Sequence, residues 1–231
     1  MLGEPVRSYS FYLLFIVLLF SLNAAATTAE SLKRQYGIEI SFDHSAAQQA
    51  VNTYQTRMTP SQSHHRPLML TMVETFLKCY RGNVLKNNLN KIFLVGKIYV
   101  GDTEISATYS PHHKVIVLAA WQELVYFAHH EFSSILIQSG FPYKGLWMEY
   151  NGAPYKHWTN YRPMKKSVRT RKLGFYYHYS QVSFEEDFNV LAGMALSNPV
   201  ATEEAVRPYS RIRGKLAIVK RFYRNIFICT F

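Results

Sequence analysis

Apolar positions from Trp121 to Gln138 recur at helical spacing. At about 100° per residue, with His130 set at zero, Trp121, Leu124, Val125, Ala128, Phe132, Ile135 and Leu136 share one arc of about 120° on the far side. His130 therefore points away from the core stripe. Tyr126, Phe127, Ser134 and Ile137 flank it, so the second face is also largely apolar and is expected to be covered. The pattern predicts a helix packed on both sides, with His130 and Glu131 on its second side. A similar pattern runs from Ser183 to Gly193: with Glu186 at zero, Phe184, Phe188, Leu191 and Ala195 cluster opposite it. Here too the core lies behind and one polar residue in front. Ser183-x-x-Glu186 also reads as a capping box, with Glu186 returning a hydrogen bond to the backbone of Ser183.

Elsewhere, Ile38 to Phe42 alternates at the period of a half-buried strand. Ala46 to Arg57 and Pro67 to Leu85 read as helices. The second carries Leu68, Met69, Met72, Val73, Phe76, Leu77 and Tyr80 on one face and starts with proline near its first turn, where it is tolerated. Thr59 to Arg66 between them is expected to be a loop with exposed His64 and His65. Three β segments follow, Ile92 to Val100, Glu104 to Tyr109 and Lys114 to Ala119, separated by turn signals. They predict a small antiparallel or mixed sheet whose last strand runs into the His130 helix. Gly140 to Arg162 is aromatic, irregular and long for a loop, as functional loops are. The class is α+β.

Met1 to Ala26 reads differently. Arg7 gives a weakly basic start, Phe11 to Leu22 is apolar apart from Ser21, and Ala24 to Ala26 offers small residues for cleavage. These features predict a secretory signal peptide over residues 1–26, with one domain over 27–231 and a secreted or periplasmic location. The apolar run is shorter than the roughly 20 residues that span a bilayer, so no stable transmembrane anchor is expected. About 205 residues remain, enough for one core-bearing domain.

The net charge is +11. Basic residues concentrate at 165–172 and 207–224, which favours anionic partners such as an envelope surface or simply provides a solvated basic face. No zinc-finger spacing or RRM signature is present, so nucleic acid is not expected as a partner. Cys79 and Cys229 are the two cysteines. An exported chain would allow them to pair, but their separation leaves the pairing open.

His130-Glu131-Phe132-Ser133-Ser134 is close to H-E-x-x-H, in which two histidines one turn apart hold zinc and the glutamate is the general base. The second histidine is replaced by Ser134, and a hydroxyl is a poor zinc ligand. Taken alone, His130 could equally be a buried, hydrogen-bonded histidine. Followed by the Glu186-Asp187-Phe188 helix, however, the segment resembles the gluzincin branch of zinc metallopeptidases. It resembles more closely the zinc-binding metallopeptidases of bacterial envelopes, whose pattern is HEFxHxL followed by an EDFxE-like helix.

That resemblance implies a zincin-like domain, in which a small mixed sheet packs on an active-site helix and a second, glutamate-bearing helix. It implies a Zn2+ ion held by His130 and Glu186, with Glu131 as general base and Asp187 as an outer partner. Two protein ligands fall short of the usual three. His178 is the best candidate for the third, ahead of His129 and His112, and Tyr177 is a candidate oxyanion donor. The implied activity is hydrolysis of a peptide or protein substrate. The alternative is an inactive module that binds peptide or anionic envelope polymer. Two departures from the pattern favour the alternative: Ser134, and Asn189 where a second acid often follows.

Overall fold

In the computed structural model of the chain, residues 27–51, 55–119, 123–156 and 167–230 are described. The expected signal peptide lies outside them. No described helix is long and apolar enough to cross a membrane.

The N-terminal part alternates short helices with strands. It runs through α1 (Ala29–Tyr36), β1 (Glu39–Ser41), α2 (His44–Val51) and β2 (Thr56–Thr59), then α3 (Arg66–Leu77) and α4 (Gly82–Asn88). Next come β3 (Lys91–Val95), β4 (Lys97–Val100), β5 (Thr103–Ile105), β6 (Ala107–Ser110) and β7 (Val115–Ala119). The C-terminal part is helical: α5 (Leu124–Gln138), α6 (Lys144–Glu149), α7 (Val168–Lys172), α8 (Phe184–Ser197), α9 (Pro199–Val206) and α10 (Ser210–Tyr223). The class is α+β, as the sequence pattern predicts.

The expected sheet is in fact two sheets. One is four-stranded and mixed, in the order β1-β3-β7-β6, and the other is a three-stranded antiparallel sheet, β2-β4-β5. The segment Ile92 to Val100 breaks at Gly96, so that β3 lies in the first sheet and β4 in the second. A Cβ at Gly96 would sit 2.4 Å from the carbonyl oxygen of Pro60, so only glycine lets the chain pass so close to the end of β2. Glu104 to Tyr109 is likewise divided between β5 and β6. Within the first sheet β3 pairs parallel with β1 and β7, while β6 pairs antiparallel with β7 and forms an edge. All of β7 is buried, in keeping with a central strand covered on both faces.

Two helix expectations are corrected. Ala46 to Arg57 does not continue as a helix to its end, because Thr56 and Met58 are buried in alternation as β2 pairs with β4. Pro67 to Leu85 splits into α3 and α4. The break is held by a Cys79–Cys229 disulfide and by an antiparallel bridge between Tyr80 and Phe227, formed by hydrogen bonds from Arg81 N to Ile226 O and from Ile228 N to Cys79 O. Leu68, placed on the core face by periodicity, is exposed, while Met69, Leu70, Val73, Phe76 and Leu77 are buried. His64 and His65 are exposed, as expected.

One large core joins α3, α5, α8 and α10 to one face of the mixed sheet. A smaller core lies on the other face, between α2 and the strands. Helix α5 is the centre of the large core, where Leu124, Ala128, Phe132, Ile135 and Leu136 are all buried. Each of these apart from Ala128 contributes roughly 1.5–3 kcal/mol on leaving water. Helix α8 packs beside α5. A Cβ at Gly193 would lie 2.8 Å from the Tyr126 ring, so the glycine permits the close approach of the two helices.

Candidate metal centre

The second face of α5 is covered, as its apolar flanks require. His130, Glu131 and Ser134 on that side are all buried. His130 meets Glu186 of α8, with Nε2 standing 3.2 Å from Oε2. That same Glu186 oxygen and Nδ1 of His130 are buried without hydrogen-bond partners.

Local structure explains how Glu186 is aimed. Ser183 Oγ accepts a hydrogen bond from Glu186 N at 3.1 Å, which caps α8. The carboxylate turns to His130, not to the Ser183 backbone, so the capping box is present in one direction only.

Electrostatics follow from burial and this contact. Burial alone pushes the His130 imidazole down, but Glu186 and Glu131 outweigh it, and the net shift is upward. Burial pushes Glu186 up, yet His130 and a hydrogen bond from Tyr179 hold it below the ordinary range. Glu131 is raised to about 7, chiefly by burial, with Glu186 and Glu185 adding to the shift and His130 opposing it.

One turn beyond His130, where the second histidine of the pattern belongs, Ser134 Oγ accepts a hydrogen bond from Asn189 Nδ2 at 2.5 Å. Both residues are buried. The two departures from the motif are thus in contact.

Tyr109 of the edge strand β6, which no spacing in the sequence singles out, bridges the site. Its hydroxyl donates to Glu185 Oε1 at 2.5 Å and accepts from Gln138 Nε2 at 2.6 Å, joining β6 to both helices. Burial first, and Glu185 second, raise its pKa.

The other candidates lie apart from this pair. His129 Nδ1 is 2.8 Å from the Tyr80 hydroxyl, on the core side of α5. His178 Nε2 rests 3.5 Å from Thr170 Oγ1. The Tyr177 hydroxyl faces Met194 Sδ at 3.9 Å. His112 is exposed on the β6–β7 turn, its ring against His113. Asp187 does not touch the His130–Glu186 pair. Its Oδ2 accepts from Lys215 Nζ at 2.6 Å, Trp147 Nε1 at 2.8 Å and Tyr155 OH at 3.0 Å, which makes a buried structural knot. Lys215, fully buried, also donates to Gly174 O and lies over the ring of Phe175. Its basic surroundings in sequence gave no sign of such a role.

The model of the family described as "Putative zinc-binding metallo-peptidase" matches residues 28–231. The chain belongs to this family. A crystal structure carrying the same description, from Bacteroides caccae, is similar to it, with a TM-score of 0.55 and 18% identity over 85% of this chain and 82% of that one. At that identity the likeness is one of fold. No curated protein matches.

Family membership implies zinc, and the donors present test that implication. His130 and Glu186 have the right chemistry and already face each other, and the Glu186 oxygen that meets His130 accepts no hydrogen bond. The next ligand position is not available, because Ser134 and Asn189 have closed on each other. Among the described residues, no three His, Cys, Asp or Glu side chains gather in a group able to hold a metal ion. The set present therefore falls one donor short of a catalytic zinc site in this metallopeptidase-family chain.

Proposed function

We propose that this member of the zinc-binding metallopeptidase family uses the surface around His130 and Glu186 to bind peptide without hydrolysing it. The observation that carries the reading is the Ser134–Asn189 hydrogen bond, which occupies the position of the second histidine ligand. The His130–Glu186 contact supports it, since an imidazolium and a carboxylate neutralise each other in the absence of a cation. The chain is exported, with residues 1–26 removed as a signal peptide. The Cys79–Cys229 disulfide supports that location, because structural disulfides persist in oxidising compartments.

A second reading, hydrolysis of peptide bonds, is favoured by Glu131, whose pKa near 7 suits a general base. It requires a third donor to reach His130 and Glu186. His178 is the candidate, with Tyr177 beside it as the oxyanion donor.

Zinc per chain and peptide cleavage separate the two readings. The binding reading expects metal-free, inactive wild type and metal uptake in Ser134→His, which restores the one-turn histidine pair. Zinc-bound wild type that cleaves peptide, loses metal in His178→Ala and loses cleavage in Glu131→Gln would establish the peptidase instead. Sequencing the amino terminus of protein recovered from the envelope or medium tests export, with Thr27 expected near the start.

A further inference from the structure

Helices α9 and α10 enclose a cleft of about 330 Å³ that lies outside the His130–Glu186 site. Its apolar side is made by Val206 and Leu216, both buried. Its polar side holds three cations, Arg207, Arg213 and Lys220, against one carboxylate, Glu203. Lys220 is paired with Glu203, so the carboxylate is already engaged. Arg213 donates from Nη1 to the carbonyl of Arg207, which uses one of its five N–H donors and leaves the rest of the fork for an anion.

The two helices extend the pattern beyond the cleft. On α10 the positions 213, 216, 217 and 220 follow helical spacing, so the cationic Arg213 and Lys220 share a face with an apolar centre. On α9, Val200 lies one turn before Glu203 and is 69% exposed.

We infer that the α9–α10 cleft is a binding site for the phosphate-bearing headgroup of an anionic lipid. Arg207 and Arg213 take the phosphate, Val206 and Leu216 receive the apolar part next to it, and Val200 meets the membrane interface. Excess positive charge selects an anion, and guanidinium forks suit phosphate oxygens. The apolar wall and exposed valine favour an amphiphile over a free ion.

The test is partition of the purified protein onto vesicles of phosphatidylglycerol in phosphatidylcholine, measured beside pure phosphatidylcholine. Arg207→Gln/Arg213→Gln should weaken partition on the order of thirtyfold, at about one kilocalorie-scale contact per basic residue. Lys33→Gln/Arg34→Gln removes the same charge from exposed positions on α1 and should change partition little. Ala217→Asp, which puts a carboxylate on the cleft wall, should weaken it as the arginine pair does. Melting temperatures near wild type are expected for all three, since these positions are exposed. Equal losses in the two charge-removal pairs would reduce the effect to net charge and overturn the inference. So would wild type that ignores phosphatidylglycerol, or displacement from vesicles by millimolar inorganic phosphate, which would make the free ion the ligand.

Discussion

Ser134 and Asn189, which sit 55 positions apart in the chain, are hydrogen-bond partners at 2.5 Å in the buried space between α5 and α8. Ser134 stands one turn beyond His130 and Asn189 one turn beyond Glu186, and the amide of one satisfies the hydroxyl of the other. Ser134→Ala leaves the Asn189 amide without this partner and is expected to cost about 1–3 kcal/mol, the penalty for an unsatisfied buried donor. Asn189→Ala should cost a similar amount. The double variant should lose less than the sum of the singles, because the two positions are coupled. Urea unfolding of the four proteins measures the coupling, and strict additivity would count against the pairing.

Lys215 and Asp187 pose the opposite problem, a buried ion pair rather than a neutral one. Lys215→Met strands the carboxylate beside Trp147 and Tyr155 and is expected to destabilise by about 3–5 kcal/mol. Asp187→Asn removes the charge yet still accepts from both aromatic donors. Lys215→Met/Asp187→Asn should therefore be more stable than Lys215→Met alone in denaturant titrations. If it is less stable, the stranded charge is not the source of the loss.

Much of this arrangement was legible in the sequence because it rests on helical periodicity. The arcs behind His130 and Glu186 placed both side chains on facing sides of α5 and α8, and the structure brings them to 3.2 Å. What was not legible depends on contacts between distant segments. The split of Pro67 to Leu85 follows from Cys79 and Tyr80 being held by the C-terminal tail, and the second sheet follows from the close pass at Gly96. Asp187 looks like a companion of Glu186 in sequence, but neighbours on a helix point about 100° apart, and Lys215 is on the side it faces. Tyr109 gives no signal of its own, since its role comes from Glu185 and Gln138 reaching one edge strand.

Two buried groups on α5 give opposite pH dependences. Burial lowers the pKa of His129 from 6.5 to about 3. Its unfolded form binds a proton first, so its stabilising contribution is complete above about pH 6.5, falls as pH drops, and is gone once pH passes below about 3. Glu131 is raised from 4.5 to about 7, chiefly by burial. Its contribution is complete below about pH 4.5 and is lost as pH rises through about 7. Unfolding free energies of wild type, His129→Gln and Glu131→Gln between pH 4 and 8 should show this. Relative to wild type, the first variant should lose the decline on the acid side and the second the decline towards neutrality. Parallel curves for all three proteins would reject both assignments.

The Cys79–Cys229 disulfide closes a span of 150 residues, which makes it a large constraint on the unfolded chain. Loop-closure entropy for a span of that size is worth roughly 4–5 kcal/mol. The bond also fixes the tail next to the back of α5, where the Tyr223 hydroxyl lies 2.6 Å from Ser133 Oγ and Phe227 packs edge-on to Tyr80. Reduction, or Cys79→Ser/Cys229→Ser, should lower unfolding free energy by about that amount. Within the folded state it should first loosen residues after Tyr223, because it removes their covalent tie to the α3–α4 break and leaves the two hydrogen bonds of the Tyr80–Phe227 bridge and the packing of Phe227. Hydrogen exchange in the oxidised and reduced protein tests the order of events. Faster exchange at Ile226 and Ile228 ahead of α5 is the expected result, and simultaneous loss of protection in both segments would mean that the tail and α5 open as one unit.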